Sequence, residues 1–524
     1  MTVSSYALVG DIATMNHDRD VIRKGVVYVR NDTIEAVTKA SDPVPPGFED
    51  APRLAVGGTI YPGLIELHNH LAYNALPMWK PPGKYQAREQ WRREDEYRKY
   101  ISGPMAILGS RPYYVEAIVR YVECKCLLGG VTTSQGLTLM PAPDIKKQFS
   151  GIVRNAELPD DAALPAAHAR VEDVETADEL AKKLSQARPG HLLLHVAEGL
   201  YPTAEGHFLK FQRPDGTWAI NSALVGIHCT GLHGDDWKVL AEGGGSMVWS
   251  PLSNLMLYGD TADVRAAKAA GVRIALGSDW TPSGSKNLLW ELKIAYLWSK
   301  LHGGIFTEQE LVEMATVRAA EILGWESKLG AIAPGMRADL VVIKGSRGDP
   351  YRRLLKCEES AIQLVVIRGI PRVGIHRLMK KFDVPTETYG DRLLHLADPA
   401  SYPVVGALTL EAARARLSRG MQALPHPPDP PARFSARAAG PCWTLALEED
   451  EAAGAAMRPL APVTAIADLP RAAVPPEAIV KPMALDPLTV SEDPEAYLRA
   501  LEAQPNLPAE IPHELRKLQH RLAA

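Results

Sequence analysis

The stretch "YPGLIELHNHLAYN", residues 61–74, ends an apolar run with two histidines two positions apart, His68 and His70. Side chains at i and i+2 of a β-strand point to the same side, about 7 Å apart at the backbone. One strand could therefore present both imidazoles to a single metal ion. The remaining ligands of such a site must come from elsewhere in the chain.

Length, charge and cysteine usage limit the classes of protein to consider. A chain of 524 residues is too long for one simple core, which predicts a large catalytic domain with a smaller one. The 58 basic and 62 acidic residues are well mixed, which predicts a small-molecule partner and no nucleic-acid partner. Five cysteines without a CxxC pair are typical of reduced thiols. With no leader-like N-terminus and no run of about 18 apolar residues, we expect a soluble, cytoplasmic protein without a membrane partner.

Short apolar, β-branched runs alternate with helix-like segments along most of the chain, which indicates βα units and a parallel sheet. Eight candidate strands cover residues 59–70, 130–137, 150–156, 167–174, 191–199, 223–231, 245–254 and 272–280. Eight βα repeats predict an α/β protein with a TIM-type (β/α)8 barrel over residues 59–328.

The segments before and after the predicted barrel differ from it in character, and the last part of the chain differs again. Residues 1–58 and 329–384 alternate short strands with turn residues, so we expect both flanks to form one small β-sandwich into which the barrel is inserted. Residues 385–524 hold 20 of the 42 prolines and several Ala-rich stretches, which predicts an extended arm or a partly disordered tail. We expect this C-terminal extension to pack on outer helices or on a neighbouring subunit of a homo-oligomer, without a role in catalysis.

Catalytic groups of a barrel come from the carboxyl ends of its strands, where all the loops meet. His68 and His70 end the first candidate strand, His195 and His228 lie near the ends of the fifth and sixth, and Asp279 closes the eighth. Three histidines and a carboxylate suit Zn²⁺ or Fe²⁺ and leave a position open for water. Glu198 follows His195 by three residues, and we expect the end of the strand to turn its carboxylate back over the pocket.

Five motifs in chain order carry a resemblance to a known family. The segments "PGLIELHNH", "HVAE", "IHCTGL", "SPLSNL" and "LGSDW" resemble the amidohydrolase superfamily, most closely its mononuclear cytosine deaminase and chlorohydrolase branch. The resemblance extends over residues 1–376. It implies one divalent ion, Zn²⁺ with Fe²⁺ as the alternative, held by the residues His68, His70, His195 and Asp279. It also makes His228 a catalytic group beside the ion, which in some members touches the metal.

The number of metals also follows from the resemblance. Members with two ions bridge them with a carboxylated lysine or a glutamate on strand 4, and the candidate strand 167–174 has no lysine. In the implied mechanism the ion lowers the pKa of a bound water from about 15.7 toward ~7. Asp279 takes the proton of that water, His228 stabilises the oxyanion, and Glu198 protonates a ring nitrogen next to the attacked carbon. This predicts hydrolytic deamination of an N-heterocyclic small molecule by a metal-bound hydroxide.

Substrate-binding residues are expected in the loop after strand 1 and at the later strand ends. The candidates are Tyr73, Asn74, Trp79, Trp249, Ser253, Asn254 and Trp280. Their aromatic rings would suit a flat heterocycle. The loop "LAYNALPMW" differs from the one associated with the adenosine-type, guanine or triazine members, so none of those substrates is assigned. Two alternatives stay open: cleavage of an amide, ester or C–halogen bond at the same site, and a scaffold protein built on an inactive barrel.

Overall fold

The computed structural model describes residues 5–140, 148–170, 173–399, 402–429, 443–447 and 479–523. Its eight barrel strands lie within the eight segments that the sequence predicts as strands. We number them barrel strands 1 to 8: Leu64–Ile65, Val131–Ser134, Arg154–Asn155, His168–Arg170, Leu192–Val196, Leu224–His228, Ser246–Trp249 and Arg273–Leu276. Barrel strands 1 to 3 form one parallel sheet and barrel strands 4 to 8 another.

Backbone contacts join these two sheets at both seams. Between strands 3 and 4, the N–H of Ala167 donates to the carbonyl of Ala156 at 2.8 Å. Between strands 8 and 1, Asn69 and Asp279 form a parallel bridge. The strands therefore follow chain order around a TIM-like barrel, and their carboxyl ends meet on one face.

Helices lie between the strands, as the alternating pattern predicts. Helix Pro112–Leu128 is the longest of the described helices, and helix Val264–Ala269 is followed by Gly271 at φ +85°, a left-handed conformation that favours glycine. The other helices in and beside the barrel are Arg88–Trp91, Asp95–Tyr97, Gly103–Gly109, Ala177–Ala187, Glu205–Leu209, Asp236–Glu242, Pro251–Tyr258, Leu288–Leu301, Glu308–Met314 and Val317–Leu323, with a 3₁₀ turn at Leu71–Ala75 and a π-helical turn at Arg98–Ser102. No helix in the described ranges has both the length and the apolar character needed to cross a bilayer.

Strands from both flanks share one nine-stranded sheet. Its members are Ser5–Ala13, Val21–Arg30, Thr33–Lys39, Arg53–Pro62, Leu340–Lys344, Ile362–Ile367, Ile370–Ile375, Glu387–Tyr389 and Arg392–Leu394. Strand Arg53–Pro62 pairs with Leu340–Lys344, which joins the flank before the barrel to the flank after it. Short helices Pro350–Lys356 and His376–Met379, with a 3₁₀ turn at Glu359–Ala361, complete this part of the chain.

Two boundaries differ from the sequence-based expectation. Residues 59–62 belong to the flank sheet, so the first barrel strand begins only at Leu64. Gly63 separates the two, and a Cβ at this position would lie 2.2 Å from Thr132 Oγ1, so the close approach of the neighbouring strand requires glycine. At the other end, strand Arg392–Leu394 carries the flank sheet beyond residue 384.

The C-terminal extension packs on outer helices of the barrel in its described parts, as one of the two expected arrangements. Its helices are Tyr402–Val405, Leu410–Gln422, Pro494–Glu502 and Glu510–Ala523, with a 3₁₀ turn at Val490–Glu492. Helix Leu410–Gln422 contacts helix Pro112–Leu128, and helix Glu510–Ala523 contacts helix Leu288–Leu301. A short strand, Thr444–Leu445, pairs with strand Leu139–Met140 after barrel strand 2.

Candidate active site

Four histidines meet at the carboxyl ends of barrel strands 1, 5 and 6. The ring centroid of His68 lies 4.8 Å from that of His70, 4.9 Å from that of His195 and 5.0 Å from that of His228. His68, His195 and His228 are buried, and the side chain of His70 is 15% exposed. The structure thus brings together four residues that lie up to 160 positions apart in the chain.

Asp279 completes this cluster from the end of barrel strand 8. Its Oδ1 lies 3.2 Å from Nε2 of His68 and 3.4 Å from Nε2 of His70. Its other oxygen, Oδ2, accepts a 2.6 Å hydrogen bond from Ser253 Oγ. Although burial opposes ionisation, the neighbouring imidazoles hold the pKa of Asp279 well below its usual range. The carboxylate is therefore charged and oriented toward the histidines.

The ring tautomers of two histidines fit a metal ion. Nδ1 of His195 lies 3.1 Å from the carbonyl of Arg170, and a carbonyl only accepts, so this nitrogen carries the proton. Nδ1 of His68 lies 3.1 Å from Oε1 of Gln135, which also accepts from the N–H of Asn69. Nε2 of each ring is then left with its lone pair, as in metal-bound histidines whose other nitrogen is held by an acceptor. Nε2 of His68 is buried without a hydrogen-bond partner.

The distances between the candidate ligand atoms also suit a bound metal ion. One side-chain nitrogen each from His68, His70 and His195 lie within 4.8 Å of one another, and so do ligand atoms of His68, His228 and Asp279. Nitrogen and carboxylate oxygen donors at this spacing can bind a divalent metal ion.

His228 has the opposite tautomer because of a chain of three hydrogen bonds. Trp249 Nε1, which only donates, contacts Thr261 Oγ1 at 2.8 Å, so the hydroxyl proton of Thr261 points to Asn254 Oδ1 at 3.1 Å. The amide nitrogen of Asn254 then faces Nδ1 of His228 at 3.0 Å and donates to it. In its neutral form, which burial favours by lowering the pKa, His228 therefore carries its proton on Nε2.

The backbone at these strand ends is unusual. His228 and Asp279 have φ angles of 66° and 64°, in the left-handed region that non-glycine residues rarely adopt. Ala197 at φ 48° and Gly199 at φ 145° flank Glu198 and turn the chain there. This turn brings the Glu198 carboxylate to within 3.8 Å of Nε2 of His228. Strained residues at the mouth of a pocket are typical of functional sites.

The carboxylate of Glu198 is buried between the Tyr258 hydroxyl, the His228 imidazole and the Arg88 guanidinium. Its Oε1 accepts a 2.7 Å hydrogen bond from the Tyr258 hydroxyl. Its Oε2 lies 3.8 Å from Nε2 of His228 and 3.7 Å from Nη1 of Arg88. Burial raises the pKa of Glu198 to about 7, with Arg88 opposing the rise. A carboxyl group with such a pKa can donate and accept a proton near neutral pH.

All the predicted substrate-binding residues are buried, and Ser253, Asn254 and Trp280 contact residues of the cluster directly. The Trp280 ring lies 5.4 Å from the His70 ring and 5.2 Å from the Tyr73 ring. Ser253 and Asn254 contact Asp279 and His228, Asn74 bonds to Asn69, Trp79 packs beside Tyr97, and Trp249 donates to Thr261. Their role in substrate binding stays a prediction.

A cavity of about 90 Å³ opens beside the histidines. His68, His70, His195 and Tyr73 line one part of it, and Gln135, Glu157 and Arg170 are among the polar residues of its wall. Ala446 of the C-terminal extension also lines the cavity, held there by its N–H bond to the carbonyl of Thr138 at 2.9 Å. The extension thus reaches the pocket, which sequence analysis did not predict.

Sequence analysis also missed Gln135, Arg88 and Tyr258. Gln135 follows barrel strand 2 directly, so the strand-end rule that identified the histidines also applies to it. Tyr258 lies four residues after Asn254 on helix Pro251–Tyr258, and i, i+4 spacing places both on one helix face. Arg88 begins the short helix Arg88–Trp91 and does not follow a barrel strand, so no local pattern points to it.

A family model and several sequence relatives match parts of this chain. Residues 165–371 match the model of the amidohydrolase family. A 5-methylthioadenosine/S-adenosylhomocysteine deaminase of Symbiobacterium thermophilum is 35% identical over 131 residues, 24% of this chain and 30% of that protein. The enzyme of the same name from Acetivibrio thermocellus is 23% identical over 397 residues, 68% of this chain and 91% of that protein.

Solved structures share the fold at low identity. A zinc-bound adenosine deaminase from Xanthomonas campestris is 19% identical with a TM-score of 0.58, over 79% of this chain and 98% of that one. A zinc complex of atrazine chlorohydrolase from Arthrobacter aurescens is 18% identical with a TM-score of 0.55, over 70% of this chain and 94% of that one. The family match and the deaminase relatives confirm the predicted resemblance of the chain to the amidohydrolase superfamily, and the solved structures show that the fold is shared.

Proposed function

We propose that the protein is a metal-dependent hydrolase that deaminates an N-heterocyclic small molecule. The observation that carries this proposal is the position of Glu198, a buried carboxyl group with a pKa near neutrality beside the histidine and aspartate cluster. Amino-substituted C=N carbons become electrophilic when the ring nitrogen is protonated, and Glu198 can supply that proton. The deaminase names of the two sequence relatives support the same reaction class.

The proposed metal site holds one Zn²⁺ ion, with Fe²⁺ as the alternative. His68, His70, His195 and Asp279 would bind it, and zinc in the two solved neighbours supports this choice. When bound, the ion supplies Lewis-acid activation of the attacking water.

The catalytic residues have different proposed tasks. Asp279, ionised and held by Ser253, accepts the proton of the attacking water. His228 donates a hydrogen bond from its Nε2–H to the oxygen that becomes negatively charged as the tetrahedral adduct forms. Glu198 protonates the ring nitrogen, and the proton held by Asp279 passes to the amino group, which leaves as ammonia. The remaining hydroxyl proton of the adduct returns to Glu198 as the carbonyl forms. The tautomer of His228 supports a donor role for this residue over a metal-ligand role.

Ammonia release from a panel of heterocyclic amines by the zinc-loaded protein tests the reaction class. Adenine nucleosides such as 5-methylthioadenosine belong in that panel because of the relatives, and cytosine-, guanine- and triazine-type amines belong because the loop after strand 1 does not identify a subgroup. Ammonia release that depends on the ion would support deamination. A zinc-loaded protein that hydrolyses only amides, esters or carbon–halogen bonds would contradict it.

Hydrolysis of a carbon–halogen bond is the second candidate, favoured by the likeness to atrazine chlorohydrolase. Chloride release from a chlorotriazine, measured beside ammonia release, would distinguish the two. An inactive scaffold is disfavoured because the four predicted ligands, His228 and Glu198 lie together, with the tautomers of His68, His195 and His228 held by hydrogen bonds.

The hydrogen-bond chain to His228 leads to a prediction about Thr261. Thr261→Val removes the hydroxyl that orients Asn254, so the amide can flip and shift the His228 proton to Nδ1. We expect kcat to fall by about 10- to 100-fold while zinc content stays unchanged, because outer-shell partners that hold a histidine typically have effects of this size. Thr261→Ser keeps the hydroxyl and should retain most of the activity. Equal activity of the Val and Ser variants would show that the tautomer does not matter.

Cytoplasmic location, homo-oligomeric assembly and the division into a flank domain (1–58 with 329–384), a barrel (59–328) and a C-terminal extension (385–524) stay predictions, with the flank sheet itself extending to residues 62 and 394. Mixed surface charge, reduced thiols and the sharing of one sheet by both flanks support them. Light scattering of the purified chain tests the assembly.

A further inference from the structure

The C-terminal extension contributes a buried acid, Asp486, beneath the active-site loops. Asp486 is 5% exposed, and its Oδ2 accepts hydrogen bonds from Nζ of Lys125 at 2.5 Å and from Nζ of Lys286. Its N–H donates to the carbonyl of Ala75 at 3.1 Å, and its own carbonyl accepts from the Tyr121 hydroxyl. Backbone and side chain of Asp486 are thus both attached to the barrel.

Lys125 connects this acid to two different loops. Besides Asp486, its ammonium donates to the carbonyl of Asn74 at 2.8 Å and to Oγ1 of Thr281 at 2.9 Å. Asn74 belongs to the loop after barrel strand 1, and Thr281 to the loop after barrel strand 8. An ammonium has three protons, and in this arrangement each has an acceptor.

These two loops carry metal-ligand candidates. Asn74 donates to Oδ1 of Asn69 at 2.8 Å and accepts from the N–H of Thr281 at 2.8 Å. Asn69 lies between His68 and His70 in the chain and forms the bridge with Asp279. Direct contacts therefore run from Asp486 to the backbone that presents His70 and Asp279.

The charge balance of this cluster depends on Asp486. Lys125 and Lys286 are 2% and 4% exposed, and within the cluster they share this one carboxylate. Burial lowers the pKa of Lys125 to about 8, and Asp486 opposes that shift. Two buried ammonium groups without a counter-charge repel each other and favour movement toward water. Such movement would draw the loops after strands 1 and 8 away from their positions.

We propose that Asp486 is a positioning residue of the metal site: through Lys125 and Lys286, the C-terminal extension holds the two loops that present His70 and Asp279. The inference rests on the proposed metal-dependent function and assigns part of residues 385–524 to it. It also means that catalysis requires the extension, contrary to the sequence-based expectation.

The test is the zinc affinity of the full chain, measured by competition with a chelator. Asp486→Asn keeps the size of the side chain but leaves both ammonium groups without a carboxylate. We expect zinc affinity to fall by about 10- to 100-fold, as for other residues that orient ligands. The double variant Asp486→Asn/Lys286→Met restores the net charge of the cluster, and we expect it to recover most of the lost affinity.

Two further variants separate a positioning role of Asp486 from a general loss of stability. Lys125→Met retains the Asp486–Lys286 pair but removes the ammonium that joins the loops, and it should show a similar loss even if Asp486→Asn does not fold. Leu515→Ala is the matched control, because Leu515 is buried in helix Glu510–Ala523, which packs on helix Leu288–Leu301 away from these loops. It should lower the melting temperature and leave zinc affinity unchanged below that temperature.

Unchanged zinc affinity in Asp486→Asn or in Lys125→Met would overturn the positioning role while leaving the proposed hydrolase intact. An equal loss of affinity in Leu515→Ala would also overturn it, because the extension would then act through stability alone. A wild-type chain that binds no zinc would refute the metal-dependent function itself.

Discussion

Replacing Asp279 by alanine is expected to remove both the metal ion and the activity. Its Oδ1 lies 3.2 Å from Nε2 of His68 and 3.4 Å from Nε2 of His70, so the substitution removes the carboxylate donor of the proposed ligand set. We expect less than a tenth of the wild-type metal content and a loss of turnover greater than about 10³-fold, because Lewis-acid activation of water is lost with the ion. His70→Ala should behave in the same way. Metal analysis and ammonia release measure the two effects.

His168→Ala is the matched control for these ligand variants. His168 is an exposed histidine at the amino end of barrel strand 4, where it pairs with Leu192 at the start of barrel strand 5, whereas the site forms at the carboxyl ends of the strands. It should keep about one divalent ion per chain and full activity. Two tightly bound ions per wild-type chain would contradict the mononuclear proposal, and a fully active Asp279→Ala variant would refute the assignment of this site.

Replacing Glu198 by glutamine should abolish most of the turnover without loss of the metal. Glutamine keeps the shape of the side chain and a hydrogen bond to Tyr258, but it cannot transfer a proton to a ring nitrogen. We expect kcat on a heterocyclic amine to fall by at least about 10²-fold, the typical contribution of a general acid–base group. Steady-state kinetics combined with metal analysis measures this effect.

An exposed glutamate provides the comparison. Glu242→Gln, at the end of helix Asp236–Glu242 on the surface, makes the same chemical change outside the site and should leave kcat and metal content unaltered. Wild-type turnover in Glu198→Gln would remove the proton-transfer role and with it the argument for deamination over other hydrolyses.

Local sequence patterns predicted the barrel strands and the central cluster well. Strand and helix segments are recognisable from β-branched runs and helix-like periodicity, which depend on neighbouring residues only. The parallel arrangement then places the carboxyl ends of the strands together, so His68, His195 and Asp279 could be grouped before any distance was known. The turn at Ala197 and Gly199 similarly follows from the position of Glu198 at a strand end.

The start of the first barrel strand could not be predicted in this way. Residues 59–70 form one apolar run, yet strand Arg53–Pro62 pairs with Leu340–Lys344 while Leu64–Ile65 pairs with barrel strand 2. Both parts have the same β propensity. The choice of partner depends on packing between segments nearly 300 residues apart, which no local pattern encodes.

The sequence by itself thus determined the strand order, the grouping of the strand-end histidines with Asp279 and the resemblance to amidohydrolases, because these depend on local periodicity and on motifs in chain order. Only the tertiary structure decided which atoms face each other. It placed Thr261 and Asn254 so that His228 carries its proton on Nε2, and it placed Asp486 of the extension between two buried lysines. Hydrogen-bond partners and counter-charges of buried groups come from distant parts of the chain, and burial makes their identity matter because water cannot replace them.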